Sequence, residues 1–246
     1  MRVMHEASQY EANCFVTLTY ARDALPPNGS LEHGDFQKFM KRVRKRLRKQ
    51  VRFYMCGEYG PQTGRAHYHA CLFNCDFRED RLPAGKSSGG HVFYSSEVLS
   101  SLWGHGIATV QDLTAETAGY CARYIMKKAL GETAKTAYQV VNDGGEIVER
   151  RPEYAAMSLK PGIGASWFAK YGKETYPSDF VVMDGVKRQA PKYYDKLMKR
   201  QLECSDDVEF SRVLKAKERL SENTPERRKV RETVAKARVK HLSRGL

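Results

Sequence analysis

Residues 51–74 read VRFYMCGEYGPQTGRAHYHACLFN, and this stretch decides the fold. Two runs rich in aromatic and β-branched residues, Val51–Glu58 and His67–Asn74, flank YGPQTGRA. Gly60, Pro61 and Gly64 mark that joint as a loop, so the pair reads as an antiparallel hairpin. In a strand, residues i and i+2 share a face. His67 and His69 therefore project side by side, while Tyr68, Ala70 and Leu72 turn the other way, into a core. The neighbouring strand lies about 4.8 Å away, which brings Glu58 within reach of both imidazoles. Two surface histidines and an ordinary exposed glutamate are the bland alternative. Two neutral imidazoles and a carboxylate also make a nest for a divalent metal, with coordination positions left open as a catalytic metal requires.

Upstream, Cys14–Tyr20 (CFVTLTY) alternates as a strand, with Val16, Leu18 and Tyr20 on one face and Phe15, Thr17 and Thr19 on the other. PPNG at 26–29 breaks the chain. A helix is predicted from about Asp35, its expected N-cap, to about Gln50, with Phe36, Phe39, Met40, Val43 and Leu47 as its apolar stripe. Residues 78–91 read as an exposed loop, Ser96–Trp103 as a short helix and Ile107–Leu113 as a strand. Thr114–Leu130 is predicted to be a helix capped by Thr114. Asp184-Gly185 centres a hairpin over Phe180–Arg188. From about Pro191 the chain is helical and highly charged. The expected division is one domain over residues 1–200 and a charged helical tail over 201–246.

The charge balance narrows the partners. Lys and Arg number 42 against 29 Asp and Glu, a net charge of +13 on 246 residues, which points to a polyanion. Nine of the bases, and no acid, lie between Lys38 and Arg52. A solvated helix face is the usual fate of such a run. Nine uncompensated charges repel one another, however, and a nucleic acid would relieve them. Lys41, Arg42, Lys45, Arg46, Arg48 and Lys49 are the candidate DNA contacts on this helix. Tyr10, Tyr54, Tyr59, Trp103 and Trp167 are candidates for stacking on bases, although core packing is the commoner role. No segment has the run of about 18 apolar residues that spans a membrane. Six cysteines are too sparse for a disulfide scaffold, and a reducing cytoplasm is the expected setting.

Tyr120 and Tyr124 in GYCARYIMKK stand one helical turn apart, flanked by Arg123, Lys127 and Lys128. A lone YxxxY is usually a core pair. A basic flank suits a phosphate-handling face instead, and nearby cations help a phenol, with an ordinary pKa near 10, to attack phosphorus. Phenol, divalent metal and basic surface together describe transfer of a phosphodiester to tyrosine with departure of a 3′-hydroxyl. The phosphotyrosine bond retains the phosphodiester energy, so the strand can be rejoined without ATP. A second tyrosine could make the next attack while the first is occupied.

Three motifs in this order resemble an established family: FVTLTY at 15–20, HYHACLF at 67–73 with GEYG at 57–60 upstream, and YCARYIMKK at 120–128. The chain resembles the HUH endonucleases, specifically the rolling-circle replication initiators of small single-stranded DNA phages (microviruses, gokushovirus-like). HEASQYEANCFVTLTY, PGIGASWFAKYG and the basic helix around 38–49 are similar to that group too, so the likeness covers most of residues 5–175.

The resemblance implies an α+β fold, a central antiparallel sheet of the RRM/ferredoxin-like kind with packed helices. It implies His67, His69 and Glu58 as ligands of Mg2+ or Mn2+, and Tyr120 and Tyr124 as alternating nucleophiles. Lys127 or Lys128 would position phosphate or tyrosine; Arg123, in the basic flank read above, is a candidate DNA contact. The implied substrate is single-stranded origin DNA, in the cytoplasm of a bacterial host. Members often carry more residues ahead of the HEAS segment. The sequence has no Walker A loop, since Asp80 stands where the first glycine before Gly85-Lys86-Ser87 should be. Host helicase and polymerase are therefore the expected partners. A plasmid relaxase or HUH transposase, a non-catalytic RRM-like module and a hydrolytic metallonuclease are the competing readings.

Overall fold

Strict alternation makes β1 (Asn13–Tyr20) a strand that buries both faces, and a seven-stranded sheet is built around it. The computed structural model describes residues 1–60, 63–87, 89–124, 136–142, 144–202 and 204–240; of Tyr124, Val239 and Lys240 it describes the backbone alone. The remaining strands of the sheet are β2 (Arg52–Tyr59), β3 (Ala66–Phe73), β4 (Leu82–Lys86), β5 (Val92–Ser95), β6 (Gly106–Asp112) and, after a small β7–β8 hairpin (Gln139–Val141, Ile147–Glu149), β9 (Tyr154–Met157). The order is β4-β5-β6-β1-β3-β2-β9, with every neighbouring pair antiparallel. The expected α+β fold with a central antiparallel sheet is borne out.

The sheet has two differently furnished faces. Val16, Leu18 and Tyr20 of β1, with Tyr68, Ala70 and Leu72 of β3, pack against Phe36, Phe39, Met40 and Val43 of α2 (His33–Leu47) and Leu99, Leu102 and Trp103 of α3 (Glu97–Trp103). Phe15, Cys56, Cys71 and Phe73 point the other way. They meet Ala7 of α1 (Arg2–Ala7) and Ala118, Tyr120 and Cys121 of α4 (Ala115–Tyr124). Both layers follow from side chains alternating across a strand.

Several local expectations are corrected. Asp35 does not cap α2: Glu32 does, its carboxylate accepting from the Gly34 N–H at 3.2 Å. Asp35 is buried in the first turn and accepts the Tyr20 hydroxyl at 3.0 Å. The helix ends at Leu47, where Arg48 takes a left-handed conformation (φ 52°). Residues 82–86 are not loop but the exposed edge strand β4. Pro83 suits an edge, and a bulge between Pro83 and Gly85 interrupts the alternation that would have revealed it. The hairpin over β2 and β3, the Ser96-capped α3, the strand β6 and the Thr114 cap of α4, whose hydroxyl accepts from the Thr117 N–H at 3.2 Å, all match expectation.

Backbone contacts group Arg2–Ile163 as one compact unit and Gly164 onward as another. The division proposed at residue 200 falls inside the second unit. That unit holds α5 (Ala165–Thr175), the expected hairpin of β10 (Phe180–Met183) and β11 (Val186–Gln189), and the helices α6 (Lys192–Gln201), α7 (Ser205–Glu218) and α8 (Pro225–Lys240). The hairpin turns through Asp184 and Gly185, both at positive φ. Phe168, Tyr176, Tyr194, Met198 and Val208 form its core. The described side chains of α8 are all exposed, as a solvated tail requires.

Candidate metal centre and nucleophile

β2 and β3 pair so that Glu58 faces His67 directly and Cys56 faces His69. Alternation puts all three polar side chains on the α4 side of the sheet. One carboxylate oxygen, Glu58 Oε1, lies 2.8 Å from His67 Nε2 and 3.0 Å from His69 Nε2. The outer nitrogens are held as well. His67 Nδ1 donates to the Arg65 carbonyl at 3.0 Å, and His69 Nδ1 lies 3.0 Å from the Thr17 hydroxyl. Those bonds fix the ring orientations and aim both Nε2 atoms at the glutamate.

Burial raises the Glu58 pKa, but the hydrogen bonds from His67 and His69 outweigh it and hold the carboxyl below its ordinary value. Glu58 is 0% exposed, and its second oxygen, Oε2, has no hydrogen-bond partner among the described residues. A buried carboxylate oxygen left without a donor is costly. A cation beside it would remove that cost. Two imidazole nitrogens and one carboxylate oxygen are a donor set that could hold a divalent metal ion. Among the described residues this is the one cluster of His, Cys, Asp or Glu side chains that could hold a metal. The cysteines are free, and all but Cys204 are buried, as small hydrophobes would be.

Tyr120 stands over this centre. Its ring meets that of His69 edge-on, with centroids 4.8 Å apart, and that of Phe15 at 6.3 Å. The Arg123 guanidinium lies 5.8 Å from the centre of the Tyr120 ring. Ala118 and Cys121 of the same helix pack on the sheet, which sets α4 at this height. Tyr120 is 7% exposed, so the ring is a packing element as well as a neighbour of the metal residues. Tyr124 is the last described residue of α4; its side chain, with Lys127 and Lys128, lies outside the described residues.

The candidate DNA contacts of α2 are not at this site. Lys41, Lys45, Arg46, Arg48 and Lys49 are exposed, but α2 packs on the opposite face of the sheet from Glu58, His67, His69 and Tyr120. Arg42 is half-buried and donates to the carbonyls of Leu102 and Trp103 at 2.6 and 2.8 Å. Arg52, counted with the basic run, lies in β2 and is buried in an ion pair with Glu6. Of the stacking candidates, Tyr54 and Trp103 are buried and Tyr10 and Tyr59 pack partly against the cores. Trp167 stacks on Tyr194 in the second unit. Thr17 was missed as a site residue. Its signal was present, since alternation in FVTLTY already placed it on the face away from Leu18.

A model of the replication-associated protein ORF2 family matches residues 13–129, a span that runs from β1 through α4 and holds Thr17, Glu58, His67, His69 and Tyr120. Beyond this segment the likeness continues. The chain is 32% identical over 226 residues to the replication-associated protein ORF2 of Spiroplasma virus 4, covering 86% of this chain and 65% of the relative. It is 31% identical over 211 residues to the replication-associated protein VP4 of Bdellovibrio phage phiMH2K, covering 81% and 62%. With the replication-associated protein ORF4 of Chlamydia phage 1 it shares 27% over 212 residues, covering 83% and 50%. The resemblance to phage replication proteins is thus borne out. The chain spans less than two thirds of the length of these relatives. No solved structure matches it. Among the described residues, no helix is long and apolar enough to cross a membrane.

Proposed function

We propose that this chain initiates rolling-circle replication of a small phage genome by nicking single-stranded origin DNA through tyrosine and later rejoining it. The observation that carries the reading is the buried Glu58 carboxylate, shared by two oriented imidazoles, with the Tyr120 ring 4.8 Å from that of His69. A divalent ion held by Glu58, His67 and His69 would supply positive charge to the non-bridging oxygens of the scissile phosphate.

The chain's own residues do the rest. The phenol oxygen of Tyr120 or Tyr124 gives up its proton and bonds to phosphorus. The P–O3′ bond breaks, and the departing 3′-oxygen takes up a proton. Arg123, with Lys127 or Lys128, steadies phosphate and phenolate. Reversal by a 3′-hydroxyl frees the tyrosine and reseals the strand. The second tyrosine serves the next transfer. Extension of the 3′-end falls to a host polymerase and unwinding to a host helicase, in the bacterial cytoplasm.

The test is incubation of the protein with labelled single-stranded origin DNA and Mg2+ or Mn2+, followed by a denaturing gel. The expected result is a covalent protein–DNA adduct, retained in Tyr120→Phe or Tyr124→Phe alone and lost in the double variant. Nicking without an adduct would replace this reading with a hydrolytic metallonuclease. Binding without nicking would leave a nucleic-acid-binding module.

A further inference from the structure

We propose that the outer face of α2 is a binding surface for the backbone of duplex DNA, separated by the thickness of the sheet from the centre that handles a single strand. Lys41 and Lys45 lie one turn apart on α2 with Arg46 beside them, and Arg48 and Lys49 continue the basic run just past the helix end at Leu47; all five are exposed. None of the five makes an ion pair among the described residues, whereas Lys38 is already matched by Asp35 at 3.6 Å. At one end Asp76, Glu79 and Asp80 share a cavity of about 260 Å³ with Arg46 and Lys49. Asp76 there is held by Arg78, and Asp80 by the Ser96 hydroxyl and the Val98 N–H. Lys41, Lys45 and Arg48 take no part in lining that cavity.

Two features select duplex over single strand. Single-strand binding surfaces pair their cations with aromatic rings on which unpaired bases stack. Here the rings beneath α2, Phe36, Phe39 and Trp103, are buried in the core, and the half-buried Phe53 is already covered by Arg44, 5.9 Å from its ring centre. The patch offers charge without a stacking platform, which suits a ligand whose bases are already stacked on one another and which presents phosphates alone. The patch is also rigid. Arg42 ties α2 to the last carbonyls of α3, and Arg44 ties its end to the Val51 carbonyl at 2.9 Å. Lys41 and Lys45, about 6 Å apart along the helix at 1.5 Å per residue, are thereby held in place with Arg48 at the helix end.

The inference rests on the proposed nicking reading only for the role of the opposite face. The sheet then acts as a partition: duplex is gripped on the α2 side, and the strand to be cut is received on the α4 side.

The experiment uses the full chain and two probes, a 20-base-pair duplex of arbitrary sequence and a single strand carrying the nick site. Affinity for each is read by fluorescence anisotropy across a salt series, and nicking by gel. For the wild type, log K for the duplex is expected to fall with log salt at a slope of about −4.5, some five phosphate contacts at about −0.9 each. In Lys41→Gln/Lys45→Gln/Arg48→Gln, duplex affinity should drop at least tenfold and the slope should flatten by about 2.7, with single-strand affinity and nicking rate at saturating strand unchanged. His67→Ala/His69→Ala should do the reverse, abolishing nicking and leaving duplex affinity intact. Unchanged duplex affinity in the triple variant overturns the inference, and so does equal loss of single-strand affinity. Tighter capture by phosphatidylserine vesicles than by duplex would assign the patch to a membrane surface instead. If the wild type never nicks but the triple variant still loses duplex, the nicking reading fails and this one stands.

Discussion

The Thr17 hydroxyl lies 3.0 Å from His69 Nδ1, so a residue of the central strand sets the orientation of an imidazole on its neighbour. Partners of this kind typically change metal affinity by 10- to 100-fold when removed. Thr17→Val should therefore weaken Mn2+ binding by at least tenfold in a calorimetric titration. Thr17→Ser, which keeps the hydroxyl, should bind like the wild type. Equal affinity in the valine variant would remove Thr17 from the site.

Glu58 provides a second readout that does not depend on cleavage. A ligand that binds only the folded chain stabilises it by about 2.7 kcal/mol at 100 times its Kd. Mn2+ at that excess should raise the melting temperature of the wild type and leave that of Glu58→Gln unmoved. The glutamine can still hydrogen-bond the histidines but contributes no charge.

Tyr120→Phe keeps the ring that packs against His69 and Phe15 and removes only its hydroxyl. Its stability should stay within about 1.5 kcal/mol of the wild type. Adduct formation by this variant should then depend wholly on Tyr124, so that adding Tyr124→Phe abolishes it in a chain that remains folded by circular dichroism.

Arg52 and Glu6 form a buried ion pair, and Arg52 also donates to the Pro161 carbonyl at 2.7 Å. Arg52→Met strands the Glu6 carboxylate in the interior without its counterion and should cost about 3–5 kcal/mol by denaturant unfolding. Glu6→Gln/Arg52→Met should recover a large part of that loss, because no buried charge remains.

His5 gives a pH signature. Burial lowers its pKa from about 6.5 to about 4. The unfolded chain therefore takes up a proton below pH 6.5 that the folded chain refuses until about pH 4. Stability from this group is complete above pH 6.5 and is lost as pH falls toward 4. His5→Gln should flatten the decline in melting temperature over that window. A parallel decline in both proteins would rule His5 out as its source.

Strands with buried alternation were legible in the sequence, and so was the cluster of Glu58, His67 and His69 that two of them bring together. β1, β2 and β3 announce themselves because both of their faces are occupied by distinct layers, and the HxH pair inherits its geometry from that alternation. What was hidden depends on partners distant in sequence. β4 is exposed along its whole length and is a strand only because β5 pairs with it. Arg52 looked like the last member of a basic run, yet it turns inward to a glutamate 46 residues away. The separation of α2 from the metal residues was implicit in the faces of β1. Summed charge carries no direction, so only the fold shows that the basic helix and the metal residues lie on opposite faces.

The pairing of Glu58 with His67 across β2 and β3 also bears on how such a protein can change over generations. A slip of one residue in either strand would turn its ligands toward Tyr68 and the α2 layer, destroying the site and the core together. Insertions in the connection between Tyr59 and Ala66 leave that pairing untouched. Length variation in this part of the chain should therefore collect in the connection, while odd-numbered insertions or deletions within the two strands are purged. The site is inherited as a fixed phase between two strands, free to acquire new loops but not to drift.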